Sequence, residues 1–516
     1  MNLAIEPWIP IVWSDGRPGT ISLCEAFAQG HEVQDLALRP HERISLMRLL
    51  ICIAQAGLAG PKDFDEWKVC RPRIAPSALQ YLEHWRQAFE LFGKGQRFLQ
   101  TANLKKPPAK SNVDDADEWN STSKLDLALA TGNNSTLFDN AGGAPRNFSP
   151  AQLARMLVTF QCFSTTGRIG VALWDGKETL GKGSSNHAPC LAGGMLHTLL
   201  RGDNLLATLH RNLLNKRQVE QHFGDDCWGR PVWELMPKSL DDAKALRNAN
   251  RSYLGRLVPI ARAICLADDG QFLILANGVE YPSYAGGWRE PTATIIMRTR
   301  EGQPERSVLP ASIEKATWRE LHALTVKSVG QNLGGAAALQ NISNEEGFDL
   351  WAGGLVANKA KLLDTTESVF HIPAAMLEET SQRIYEDGVS YAETVEHRLK
   401  RAVTRYHKEL GDNLDRPEMK NRRAQVQHNA GAQFWTDIEQ AVPSLLKTAA
   451  APENLGLKRE WRDTAWGQLV RRAARTAFEH ACPHETPRQI RAYALGLGTF
   501  FATPAGRAGL EKEVKS

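Results

Sequence analysis

The sequence has no Cys-x-x-Cys pair; its eight cysteines, at 24, 52, 70, 162, 190, 227, 265 and 482, are scattered. A zinc ribbon or a small disulfide framework needs tighter spacing, so both are excluded and a reducing cytoplasm is the expected compartment. Long apolar runs are missing too: Ile44 to Leu58 is broken by Arg48, and Leu257 to Ala267 by Arg262. Neither run reaches the ~20 uncharged residues of a bilayer span, so no membrane association is expected. The opening Met1-Asn2-Leu3-Ala4-Ile5-Glu6-Pro7-Trp8 has no basic n-region, and Glu6 with Pro7 breaks its apolar stretch, so no export leader is expected. Charge of one sign is scarce as well. Sixty-two Lys and Arg oppose 58 Asp and Glu for a net +4, which neither marks nor excludes a polyanion binder whose cations are clustered.

Catalytic signatures are equally sparse. Gly176-Lys177 is followed by Glu178 and has no glycine five positions before it, so it is not a phosphate-binding P-loop. A Gly-x-Ser-x-Gly elbow, a His-Glu-x-x-His helix and the kinase set are all absent. His480, Cys482 and His484 form the one compact metal-capable set; a turn between helices is the first reading and a metal-dependent enzyme the lesser one. The acidic run Asp114, Asp115, Asp117, Glu118 reads as a solvated loop. No cofactor, no metal and no enzymatic activity are expected.

What is present is an ordinary globular composition, 42% hydrophobic and 23% charged over 516 residues, enough for two to four domains. Pro40 opens a helix over Arg39 to Ala56, with Ile44, Met47, Ile51 and Ala54 as an apolar stripe. Ser149-Pro150-Ala151-Gln152 is a capping box that predicts a helix to about Phe163. Asp203 is expected to cap a helix carrying Leu205, Leu206, Leu209 and Leu213. Strands are predicted at Phe272 to Leu275 and Thr292 to Met297. After Pro373 the pattern is helical, over 374–410, 417–446 and 455–500. Stripes at Val395, Leu399, Val403, Tyr406 and at Trp461, Ala465, Leu469, Ala473 face a core. The expected fold is α+β: a mixed α/β domain over 1–373, then an all-α four-helix bundle over 374–516.

Three loops carry the composition that contacts nucleic acid. Residues 131–143 hold Leu137, Phe138, Asp139 and Asn140, and an inserted phenylalanine can stack on an unpaired base. Gly181-Lys182-Gly183-Ser184 lets the backbone approach a phosphate closely while the lysine reaches it. Gly353-Gly354 is read as a turn that presents Asn358, Lys359 and Ala360 to a minor groove, with Leu355 and Val356 as anchors. Ordinary surface loops remain the competing reading for each. Arginines and lysines such as Arg398, Arg401, Arg405, Arg471 and Arg472 crowd the helical third, as a solvated face or a phosphate track.

The order of features resembles a known family. Met1-Asn2-Leu3 with Trp8-Ile9-Pro10, Leu50-Ile51-Cys52-Ile53-Ala54-Gln55, Phe98-Leu99-Gln100-Thr101, Leu191-Ala192-Gly193-Gly194, Leu200-Arg201-Gly202 and Gly353-Gly354 are collinear with the CasA family, the large subunit of the type I-E CRISPR surveillance complex Cascade. The resemblance spans essentially the whole chain. It implies a non-catalytic subunit that recognises the protospacer-adjacent motif in double-stranded DNA and promotes duplex opening and R-loop formation. It also implies contact with the 5′ end of the CRISPR RNA and a dock for the helicase–nuclease, with the other Cascade subunits as partners. By position, Phe138 resembles the loop phenylalanine at the RNA 5′ handle, and Gly181 to Ser184 the glycine loop against motif DNA. Asn358 and Lys359 resemble the minor-groove reader and the wedge, the family's well-known member having glutamine where Lys359 stands here. Arg289 is placed as a further DNA contact. A structural scaffold that only caps the RNA 5′ end is the alternative role.

Overall fold

The computed structural model describes residues 1–107, 120–129, 139, 146–165, 169–181, 188–284, 288–327, 333–358, 361–411, 416–451 and 460–501. The chain divides into two compact units: Met1–Thr317 with Ala323–His371, and Trp318–His322 with Ile372–Ser516.

The first unit opens with β1 (Ile9–Trp13), β2 (Pro18–Ile21), α1 (Leu23–Ala28) and β3 (Val33–Leu36). The long α2 (Pro40–Leu58) follows, entered at Pro40, with the Glu42 carboxylate accepting from the Arg39 N–H at 3.1 Å. It is buried almost without interruption from His41 to Gln55, so it is a central core helix and not a one-faced surface helix. Next come α3 (Phe64–Val69), α4 (Arg71–His84), β4 (Leu104–Lys105), β5 (Asn120–Ser121) and α5 (Pro150–Phe163). The capping box at the start of α5 forms as predicted: Ser149 Oγ accepts from Gln152 N at 3.3 Å and Gln152 Oε1 from Ser149 N at 2.9 Å.

Beyond it lie β6 (Leu173–Trp174), β7 (Lys177–Glu178), β8 (His197–Arg201), α6 (Leu205–Asn212), α7 (Lys216–Phe223), α8 (Ala243–Arg251) and α9 (Tyr253–Leu257). Asn204, not Asp203, caps α6: its Oδ1 accepts from Ala207 N at 2.9 Å, because that side chain is the one three residues before a free N–H. The unit closes with β9 (Arg262–Leu266), β10 (Phe272–Asn277), β11 (Ile295–Arg300), β12 (Gln303–Val308), β13 (Phe348–Asn358) and β14 (Lys361–Ile372), while the single turn α10 (Leu321–Leu324) is divided between the segments assigned to the two units. Among the described residues the strands form small sheets ordered β2-β1-β3, β5-β10-β9, β11-β12, β14-β13-β8 and β4-β6-β7. The strand predicted from Thr292 begins only at Ile295, because the chain before it is still turning, with Ala293 N donating to Glu290 O at 3.0 Å.

The second unit is helical: α11 (Glu379–Glu409), α12 (Pro417–Glu439), α13 (Val442–Ala450), α14 (Ala465–Ala481) and α15 (Pro487–Phe501). The segment predicted as one helix over 417–446 is two. The turn Ala441 N→Ile438 O (2.9 Å) ends α12, and Pro443 fits the first turn of α13. The four longer helices make the expected bundle, and α11 packs against α12, α13, α14 and α15. The Val395, Leu399, Val403, Tyr406 stripe is buried. On α14 the core face is Trp466, Val470, Ala473, Ala474, Ala477 and Phe478, while Ala465 is exposed. Thr464 caps that helix, so the predicted stripe, begun at Trp461 before the helix starts, is rotated out of phase. Gly388 lies inside α11, where a Cβ would stand 2.4 Å from Leu445 Cδ1 and 2.9 Å from the Trp461 ring. Close packing there outweighs the ~1 kcal/mol that glycine costs a helix. Trp318, from the short segment Trp318–His322, is 1% exposed, with ring centroids 5.9 Å from Trp435 and 6.0 Å from Trp466.

Candidate nucleic-acid interface

Asn358 stands at the end of β13, whose burial runs from root to tip. Phe348 and Leu350 to Leu355 are buried, Val356 and Ala357 half-buried, and Asn358 exposed. The root pairs antiparallel with β8, Trp351 opposite Leu199 and Gly353 opposite His197. Trp351 Nε1 donates to Glu367 Oε1 on β14 at 2.5 Å, and Arg43 Nε reaches the same carboxylate at 3.1 Å. Gly353 and Gly354 therefore do not form the predicted turn; they lie within the strand. A Cβ on Gly353 would stand 2.5 Å from the Trp351 ring, and one on Gly354 2.8 Å from Ala311 Cβ and 3.1 Å from Met195 O. The pair is there for close packing, which fixes the direction of the strand toward Asn358. Lys359 and Ala360 lie outside the described residues.

Gly181 follows a root held by Thr179, whose N–H donates to Ala172 O at 2.8 Å and whose Oγ1 accepts from Ala172 N at 3.0 Å. Asn277 Nδ2 donates to Leu180 O. A Cβ at Gly181 would meet Val171 Cγ2 at 2.2 Å, so the missing side chain lets Val171 cover the backbone. Leu180 is 68% exposed beside it. Lys182, Gly183 and Ser184 lie outside the described residues, as do Leu137, Phe138 and Asn140. Asp139 is described: its carboxylate is paired with Arg146 at 2.6 Å.

Arg289 is not a surface residue. It is 2% exposed, and its Nη2 donates to Ala293 O at 3.2 Å, to Gly334 O at 3.0 Å and to Gly335 O. Burial lowers its pKa to about 10. The expected DNA contact at Arg289 is therefore corrected: the guanidinium ties interior carbonyls together. Next to it in sequence is a feature sequence reasoning missed, a buried triad in which Glu290 accepts from Arg48 Nη2 at 2.8 Å and from Arg256 Nε at 3.0 Å. The signal was present, since Arg48, the lone arginine inside the apolar run Ile44 to Leu58, demands a buried partner. Arg262, the other interruption of an apolar run, has its backbone N–H bound by buried Gln161 at 2.9 Å.

His480, Cys482 and His484 do not read as ligands. Cys482 is buried, which pushes its thiol up to about 12, and the His484 ring stacks on Tyr493 with centroids 4.4 Å apart. Among the described residues no three His, Cys, Asp or Glu side chains group as a metal site, and no helix is long and apolar enough to cross a membrane.

Solved structures share this fold across nearly the full length. The crystal structure of CasA from Thermus thermophilus is similar with a TM-score of 0.72 at 23% identity, covering 97% of this chain and 98% of that one. A chain of a CRISPR RNA-guided surveillance complex is similar with a TM-score of 0.69 at 17% identity, covering 97% and 99%. The architecture is thus the α+β fold of those structures. In sequence, the CRISPR-associated protein CasA/Cse1 of Thermus thermophilus is 29% identical over 438 residues, covering 80% of this chain and 79% of that protein. The model of the CRISPR-associated protein Cse1 family matches residues 2–477, and the chain belongs to that family, the CasA family its motifs resemble.

Proposed function

We propose that this chain is the non-catalytic large subunit of a type I-E RNA-guided surveillance complex, reading the protospacer-adjacent motif in duplex DNA and helping to open it. Base pairing with the guide RNA supplies most of the sequence information, so the protein need read only a short duplex element and ease the first steps apart. The observation that carries this reading is the exposed Asn358 on a strand whose root is buried and paired. A side chain that enters a minor groove must not yield, since unstacking a base step costs a few kcal/mol. An asparagine amide there offers both a donor and an acceptor to the groove edge, and Lys359 beside it a cation for a phosphate or an acceptor edge. The Gly181 to Ser184 loop gives the close backbone approach to the same duplex, and the loop holding Phe138 meets the 5′ end of the CRISPR RNA. The helicase–nuclease is recruited to the assembled particle, and the chemistry of cutting belongs to it.

The test is a gel shift with assembled complex and duplexes that carry or lack the motif. Asn358→Ala with Lys359→Ala should weaken the motif-bearing duplex by ~1–3 kcal/mol per lost contact and leave assembly intact. Unchanged affinity and unchanged discrimination overturn the assignment and leave the scaffold role.

A further inference from the structure

A second feature of the first unit lies apart from these loops in the sequence. Between α7 and α8 is an open cleft of about 830 Å³ whose lining includes Arg230, Lys244, Arg247 and Arg251. All four are exposed, and none has a side-chain hydrogen bond or ion pair among the described residues. The surrounding backbone is firmly held. Asn248 on α8 accepts from Arg230 N and donates to Arg230 O, both at 2.9 Å. Tyr253 N donates to Cys227 O at 2.5 Å and Leu254 N to Trp228 O at 3.0 Å. The loop that carries Arg230 is thereby stapled to the helix that carries the other three cations.

We propose that this cleft is a sequence-independent clamp for the phosphodiester backbone of a polynucleotide. Lys244, Arg247 and Arg251 fall at i, i+3 and i+7 on one face of α8, a row about 10 Å long at 1.5 Å per residue. A nucleic-acid strand places a phosphate about every 3.4 Å of helix rise, so the row suits a linear polyanion better than a point anion. Arginine's planar fork matches phosphate oxygens. The aromatic floor offers no base platform: Phe223 and Trp288 stack on each other with centroids 5.1 Å apart and are 8% and 4% exposed. Contact is therefore with backbone and not with bases. Asp225 and Asp226 line the same cleft and oppose the anion. The clamp does not depend on the reading of Asn358.

Fluorescence anisotropy with the full-length chain tests it, using a labelled mixed-sequence DNA duplex and, in a second arm, a single-stranded RNA, each over a salt series from about 50 to 200 mM. For the duplex, R247A/R251A should weaken binding at least tenfold at low salt and flatten the log–log salt slope by about 1.8. The RNA slope should flatten by about 1.4, and the arm with the larger loss identifies the strand the clamp takes. R300A/R306A removes the same charge from the exposed β11–β12 hairpin and should leave the slope unchanged. D225N/D226N should tighten binding severalfold, a gain that misfolding cannot imitate. Equal losses in both double-arginine variants, a slope unmoved by R247A/R251A, or displacement by millimolar pyrophosphate without any effect of the variants on polynucleotide binding each overturn the proposal.

Discussion

Removing the Glu290 carboxylate would strand two buried guanidiniums. Glu290 is 2% exposed between Arg48 at 1% and Arg256 at 3%, so neither cation can turn to water. Burial pushes the Glu290 carboxyl up, but Arg256 and Arg48 outweigh it and hold the group below the usual carboxylate range. Breaking such a pair from one side costs ~3–5 kcal/mol, since the lost attraction is compounded by uncompensated buried charge. With ~2.1 cal/mol/K of unfolding entropy per residue, a unit of this size should lose roughly 4–6 °C of melting temperature. Differential scanning calorimetry of Glu290→Ala, with the two units' transitions separated, is the assay. Adding Arg48→Met removes one stranded charge, so the double variant should be less destabilised than the sum of the singles by ~0.5–3 kcal/mol. A Glu290→Ala shift below about 1 °C, or strict additivity, would refute the claim that the triad is electrostatically closed.

Three further outcomes follow from the same interior. His41 and His197 are fully buried and held neutral, burial lowering each pKa from 6.5 to about 4. The unfolded chain takes up protons first, so stability falls as pH drops through about 6.5 to 4, by ~2 kcal/mol per histidine at about pH 5. Urea midpoints at pH 7 and pH 5 check this, and His41→Leu should roughly halve the difference. Gly354→Ala drives a methyl against Ala311 and Met195 O and should cost ~1–3 kcal/mol in urea unfolding, with weaker motif binding in the gel shift. Gln161 Nε2 donates to Leu99 O at 3.2 Å and to Arg262 O at 2.9 Å while its Oε1 accepts from Arg262 N. Gln161→Leu should therefore cost roughly 3 kcal/mol by the same measurement, through buried groups left unpaired.

Local rules carried the reading furthest. The Ser149 capping box places the start of α5 because both hydrogen bonds close within four residues. The α11 stripe holds because a long helix has one period and one core. Errors arose where distant chain decides. Gly353-Gly354 looks like a turn in isolation, and only Trp351 and Ala311 packed against it explain two glycines in a strand. Arg289 looks like a surface cation until the carbonyls of Gly334 and Gly335 are seen around it. The β8–β13 pairing joins residues about 150 positions apart, beyond any periodicity. Of the candidate interface, Asn358 was legible only as the residue a Gly353-Gly354 turn would present, and it is exposed at a strand end instead, while the cation row on α8 was missed because Asp241 and Asp242, just before Lys244, offset it in a local charge count.

The five residues Trp318–His322 give the helical unit a covalent root upstream of its own helices. A fragment cut to begin at Ile372 would lack the indole that sits between Trp435 and Trp466 and the carbonyl that takes the Tyr385 hydroxyl hydrogen at 2.8 Å. Excision at the visible border would thus yield a bundle with a tryptophan-sized hole. Any attempt to graft this unit elsewhere must supply that plug in trans or re-route it onto the amino end of α11.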